Sequence, residues 1–332
     1  MKKSLPLPSR LTTDENNVRR VGVEIEFTNL DPIQVVEEII AIWGGSHQIK
    51  NPFVHHVKDT SRGDFVVELD SSLLNSQKYV TLMQKMGVDP KSLPLGENLE
   101  ELLSDVASWV VPYEMVSPPL PLDSLGEIEE LRERLRLRRA LGSKSALRYA
   151  FGLHFNPELA SLEPDYIRDS LRSFLVLYPW IFKNSHIDFS RRVTPYIDEF
   201  PADYIKLVLD QQYEPPLDKL IRDYMQHNPT RNRPLDMLPL FMYLHPEIVE
   251  AYPIEKGLTQ GRPTFHYRLP NSLIDDPNWS IAREWSYWVQ VERLVEEPQK
   301  LRSMAAELLE LMEKTFSVIQ WQWPARVDDW LK

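Results

Sequence analysis

The chain has 332 residues, 42% of them hydrophobic and 26% charged, enough to bury a large core as one domain or two smaller ones. A formal net charge of -11 argues against a nucleic-acid binder, which carries a basic footprint. The absence of cysteine excludes disulfides, thiolate metal sites and a cysteine nucleophile, so any metal must be held by oxygen or imidazole. No apolar run reaches the length of a membrane span or of a signal-peptide core, and the expected location is the cytoplasm.

In chain order, residues 1–18 lack periodicity and predict a flexible arm ahead of a single domain over 19–332. The stretch VGVEIEF, Val21–Phe27, alternates with the two-residue period of a strand. Val21, Val23, Ile25 and Phe27 point one way and Glu24 and Glu26 the other, which puts two carboxylates about 7 Å apart on one face. Such a pair must be solvated, protonated or bound to a cation. Asp31-Pro32 predicts a helix start and Gly44-Gly45 its end. Strands are expected at 53–58 and 64–70, the second with Glu68 and Asp70 on an acidic face. A loop with a short helix is expected over 71–97 and a helix over 98–107.

The run ending in YEMVS predicts a strand carrying Glu114 between apolar neighbours, broken by Pro118, Pro119 and Pro121. A long helix is expected over 122–141, its arginines spaced after glutamates along a solvated face. In AFGLHFNP, Phe151, Leu153 and Phe155 alternate with Gly152, His154 and Asn156. The 158–262 region reads as a helical insertion, with helices near 164–182 and 216–226. Strand pattern returns at 262–272, where Phe265, Tyr267 and Leu269 oppose Thr264, His266 and Arg268. Two helices, 277–296 and 298–320, are expected to close the chain with their tryptophans in the core.

Collected, the polar strand faces offer Glu24, Glu26, Glu68, Asp70, Glu114, His154, His266 and Arg268. Oxygen donors in that number suit Mg²⁺ or Mn²⁺, and cations with an arginine meet the needs of phosphate transfer. The candidates for a general base are Asp70, Glu68 and His154, which sequence spacing does not rank. His47, His55, His56, His186, His227 and His245 have no ligand spacing.

The ordered motifs Gly22-Val-Glu24-Ile-Glu26-Phe, Asp70-Ser-Ser, Tyr113-Glu114-Met-Val-Ser117-Pro118 and Gly152-Leu-His154 resemble those of the putative amidoligase family. That family belongs with glutamine synthetase and gamma-glutamylcysteine synthetase among the carboxylate-amine ligases. Weaker echoes lie at Ser190-Arg191-Arg192 and at Thr264 to Arg268. The resemblance implies an α+β fold, a glutamine synthetase-like curved antiparallel sheet with helices behind it, binding ATP and magnesium in the concavity. It implies amide formation through an acyl phosphate, from a carboxylate and an amine that could be amino acids, peptides or a protein acceptor. By the same resemblance Glu24, Glu26, Glu114 and His154 would ligate metal, joined by Glu68 from its place on the acidic strand face, and Asp70, His154 and Arg268 would be catalytic. Arg268, Arg191, Arg192 and His266 would contact the nucleotide or substrate.

Two positions depart from the family pattern. His266 stands where a glutamate is common, and Asn156 where a second histidine is common, which leaves the metal count open. The alternatives are a phosphotransferase acting on a nitrogen acceptor, and a descendant that binds nucleotide or peptide without turnover.

Overall fold

The alternation in the first strand sets the plane on which the rest is assembled. Val21, Val23, Ile25 and Phe27 are fully buried, while the residues between them are half-buried on the opposite face. Burying each such side chain stabilises by about 1.5–3 kcal/mol, so this row anchors the strand. The computed structural model describes residues 5–51, 53–69, 112–142, 151–185, 198–254, 260–313 and 316–332.

The described strands are β1 (Arg20–Phe27), β2 (Ser46–Asn51), β3 (Val54–Thr60), β4 (Gly63–Leu69), β5 (Tyr113–Val116), β6 (Leu120–Pro121), β7 (Leu153–Pro157), β8 (Leu235–Asp236) and β9 (His266–Tyr267). They form one sheet in the order β2-β3-β4-β5-β1-β7-β9-β8, with β6 paired to the start of β1. Every pairing is antiparallel. The described helices are α1 (Pro32–Trp43), α2 (Leu125–Leu137), α3 (Pro164–Asn184), α4 (Ala202–Leu209), α5 (Leu217–His227), α6 (Leu238–Leu244), α7 (Pro246–Val249), α8 (Ile281–Val295), α9 (Pro298–Met312) and α10 (Phe316–Trp330). The architecture is therefore mixed α and β around a large open antiparallel sheet.

Local signals explain where several elements begin and end. Asp31 caps α1 by accepting from the Ile33 amide at 2.8 Å, and Gln34 Oε1 accepts from the Asp31 amide in return. Gly44 and Gly45 end it at positive φ, and a Cβ at Gly45 would meet the Lys58 carbonyl at 2.5 Å. The helix expected over 122–141 opens with a 3-10 turn at Leu122–Ser124 and stops at Leu137, because Arg139 turns to positive φ. The 46–69 region holds three strands rather than two, since Ser46–Asn51 joins as an edge strand with little apolar alternation to announce it. The expected strand over 262–272 shrinks to two residues with isolated bridges at Thr264 and Asn271. Pro263 and Pro270 lack the N–H a continuous ladder requires.

At the C-terminus three helices replace the expected two. Ser280 caps α8 and delays its start past Pro277, and α10 follows α9 as a separate helix. The loop expected over 71–97 and the helix expected over 98–107 lie outside the described residues.

The helices gather on the apolar face of the sheet. Trp43 of α1 stacks on Phe65 of β4 at 4.6 Å between ring centroids. Trp285 and Trp288 of α8 lie 5.3 Å from Phe155 and Tyr267, and Phe174 of α3 meets Tyr267 edge-on at 5.9 Å. The chain before β1 is seated against this layer, with Leu5 buried and the Pro6 carbonyl accepting from Trp285 Nε1.

Arg19, just ahead of β1, is 1% exposed and every nitrogen of its guanidinium is used. Two bonds of 2.7 Å go to Glu292 of α8, and others go to the carbonyls of Glu158 and Arg10. Trp288 Nε1 donates to the same Glu292 carboxylate at 2.7 Å. Removing one partner of such a buried pair strands the other charge, at a cost of about 3–5 kcal/mol. Urea denaturation of Glu292→Ala should register a loss of that order, and a change below about 1 kcal/mol would show that the pair does not tie α8 to the sheet.

Candidate active site

On the face opposite the helices, the strand registers bring together acids that are far apart in sequence. Glu26 of β1 stands directly across from Glu114 of β5, and Glu114 across from Glu68 of β4. Glu24 stands across from His154 of β7. Three carboxylates thus form one row over three adjacent strands, in positions where like charges repel unless something offsets them.

Glu24 is the centre of the hydrogen-bonded part of the site. Its Oε1 accepts from Asn156 Nδ2 at 2.7 Å, while its Oε2 lies 3.1 Å from His154 Nδ1 and 3.5 Å from His266 Nε2. Burial alone would raise the Glu24 carboxyl, but the imidazoles of His266 and His154 outweigh it and hold the group well below the usual carboxylate range. Glu26 accepts from the Gly152 amide at 2.7 Å, and its other oxygen stands 3.7 Å from His154 Nε2.

His154 is buried, and that burial pushes its imidazole down to about 3 despite the neighbouring Glu24 carboxylate. The nearby His266 and Arg268 push in the same direction. The ring is therefore neutral near pH 7, with a single N–H to share between carboxylates on two sides. One ring nitrogen must present a lone pair to a carboxylate oxygen, an arrangement that a cation between them would stabilise. Two sets of ligand atoms lie within 4.8 Å of one another: Glu24, His154 and His266, and Glu26, Glu114 and His154.

The family model described as putative amidoligase enzyme matches residues 17–290. The chain belongs to that family. The amidoligase match runs from just before β1 into α8 and includes every described residue of the site. Neither the curated proteins nor the solved structures include a significant match to the chain.

Of the residues that sequence analysis assigns to the site, Glu24, Glu26, Glu114, His154 and His266 are brought together in these two amidoligase clusters. Glu68 joins them by register with Glu114, and Arg268 is close enough to act electrostatically on His154. Arg268 donates to the Arg231 carbonyl at 2.6 Å. Asp70, Arg191 and Arg192 lie outside the described residues. Two further participants were not singled out by sequence. Asp236 of β8 is fully buried, with Oδ2 3.5 Å from His266 Nδ1 and 3.9 Å from Arg231 Nε. Asn156, read only as a departure from the family pattern, is the amide that orients Glu24. The two-residue β8 has no periodicity that could have marked Asp236.

The electrostatics give a pH signature for the metal-free amidoligase. The folded state resists a proton on His154 that the unfolded state accepts below about pH 6.5, so stability from this group is full above that pH. It falls with acid down to about pH 3, at up to about 1.4 kcal/mol per unit. Glu24 acts in the same sense at lower pH, its contribution being lost as pH drops below the ordinary carboxylate value. In urea denaturation at pH 7 and pH 5, the wild-type protein should lose about 2 kcal/mol more than His154→Asn. Equal losses in the two proteins would rule out a buried neutral imidazole at this position.

Proposed function

We propose that this chain is an ATP-dependent carboxylate-amine ligase with a glutamine synthetase-like fold, forming an amide bond through an acyl phosphate. The observation that carries the reading is the row Glu68, Glu114 and Glu26 beside the Glu24 and His154 pair, within a chain of the amidoligase family. A carboxylate does not condense with an amine in neutral water, because oxide is a poor leaving group. Transfer of the ATP γ-phosphoryl group to the carboxylate oxygen replaces that leaving group with phosphate, and attack by the amine then forms the C–N bond and releases it.

The donor set fits hard divalent cations. Glu26, Glu114 and Glu68 offer oxygen ligands in one row, and the repulsion among them is what such cations would relieve. Bound Mg²⁺ would supply neutralisation of the ATP phosphates. Arg268 is assigned to the charge of the transferring phosphoryl group, anchored through its bond to the Arg231 carbonyl. The base for the attacking amine is assigned to one of Asp70, Glu68 and His154. Arg191 or Arg192 is assigned to the grip on a substrate carboxylate or phosphate.

The decisive assay is ADP release by the purified protein with Mg²⁺, challenged with pooled amino acids, polyamines and short peptides. Turnover requiring both a carboxylate and an amine is expected, falling at least about 100-fold in Arg268→Ala. Glu24→Gln and Glu26→Gln should lose metal-dependent ATP binding in calorimetry while keeping the fold. A phosphorylated product without an amide would replace the ligase with a nitrogen phosphotransferase, and ATP binding without any turnover would leave a non-catalytic descendant. Unchanged ATP affinity in both glutamine variants would remove the metal assignment.

A further inference from the structure

The helical layer holds a buried acid that the polar face does not use. Glu284, in the first turn of α8, is 1% exposed, and its Oε2 has no hydrogen-bond partner among the described residues. Ser185 Oγ, at the end of α3, and Trp279 Nε1, in the link ahead of α8, are close enough to favour the ionised carboxyl, yet neither closes a bond to it. The Tyr267 hydroxyl of β9 feels the same charge and is likewise unpartnered. Glu284, Ser185, Trp279 and Tyr267 are all deeply buried. Buried polar atoms are normally satisfied, so open ones gathered where α3, β9 and α8 meet form a junction that gains hydrogen bonds once water enters.

We infer that this junction is a proton-operated latch: a proton on the Glu284 carboxylate keeps α3, α8 and β9 packed, and its loss to solvent opens them to water. The latch goes beyond the reaction proposed for the polar face and does not depend on it. Its link to that face is Tyr267, which lies between His266 and Arg268.

Opposed forces place the change near neutral pH. Burial pushes the Glu284 carboxyl up to about 7, against the pull of Ser185, Arg283 and Trp279. The positive end of α8 also favours the charge. The carboxyl thus binds its proton more tightly in the packed state than in an open one, where it returns toward the ordinary value of 4.5. Packing at the junction is therefore firmest in acid and weakens as pH rises to about 7.

The groups that face Glu284 hold their own protons over that range. On α8, the Arg283 guanidinium is raised by its hydrogen bond to Tyr287, and burial raises the Tyr287 phenol. Both donate to the Asn184 carbonyl, at 2.6 and 3.1 Å. On β9, burial holds the Tyr267 phenol well above its usual range. Asp276, in the link, acts on Arg283, and α2 brings the ion pair of Glu129 and Arg132 to the start of α8, where Glu129 accepts from the Ala282 amide. Glu284 is the acid of this junction that burial brings to neutral pH.

The test is hydrogen exchange of the full-length protein across pH, read at the Ser185 and Arg268 amides, which donate to the Ile181 and Pro234 carbonyls. Corrected for intrinsic exchange, opening at both should rise about 10-fold per pH unit between 4.5 and about 7 and then level off. Infrared difference spectra should show a protonated carboxyl disappearing with a midpoint of about 7. Glu284→Gln, which keeps the shape and cannot ionise, should flatten the rise in opening and lose the infrared signal. Ser185→Ala keeps the carboxyl and removes a group that favours its charge, so it should move the infrared midpoint upward, and it carries the test should the glutamine variant not fold. Opening that does not change with pH in the wild type, or that rises equally in Glu284→Gln, overturns the latch. So does a carboxyl that titrates while the Ser185 and Arg268 amides exchange unchanged.

Discussion

Everything on the polar face depends on the pleat of β1, because alternate residues of one strand cannot both face the core. Val21, Val23, Ile25 and Phe27 are buried against the helical layer, and this commits Glu24 and Glu26 to the other side. A slip of one residue would drive both carboxylates into the apolar layer and expose four large side chains, so the register is held by several kcal/mol of burial. The repulsion on the polar face is small beside that sum. The fold can therefore maintain a concentration of negative charge that no isolated strand would keep.

The two kinds of buried charge in this protein differ in a way that bears on function. Arg19 has both a carboxylate and carbonyl oxygens around its guanidinium, with its hydrogen-bonding capacity met inside the chain. Its work is to join β1, β7 and α8. At His266 and Asp236 the opposite holds, since deeply buried polar atoms face one another without closing hydrogen bonds. A satisfied network rigidifies a core, whereas an open one with converging lone pairs is suited to a ligand that completes it. Glu24 lies between these extremes, fixed on one oxygen by Asn156 and turned on the other toward two imidazoles. The order in the first half of the carboxylate is what directs the second.

Much of this was legible in the sequence where local rules apply. The alternation of VGVEIEF, the Asp31-Pro32 start and Gly44-Gly45 stop of α1, and the polar and apolar faces of Gly152 to Asn156 follow from periods and caps acting over a few residues. Errors fall where those rules weaken. Ser46–Asn51 is an exposed edge strand without an apolar row, and the proline-flanked segment around Tyr267 has only a two-residue ladder despite its alternating pattern.

What the sequence by itself determined is which side chains share a face within each strand, since that depends only on the two-residue period. It also carried, through ordered short motifs, membership of the amidoligase family that the match over residues 17–290 establishes. Which faces meet was decided by the tertiary structure alone. That β1 lies between β5 and β7, with β9 and β8 beyond, is set by long-range burial among elements far apart in the chain. Asp236 illustrates the consequence: nothing local marks it, yet the pairing of β8 with β9 puts its carboxylate behind His266. Spacing along the chain specifies what a residue can offer, and only the packing of distant strands specifies to whom it is offered.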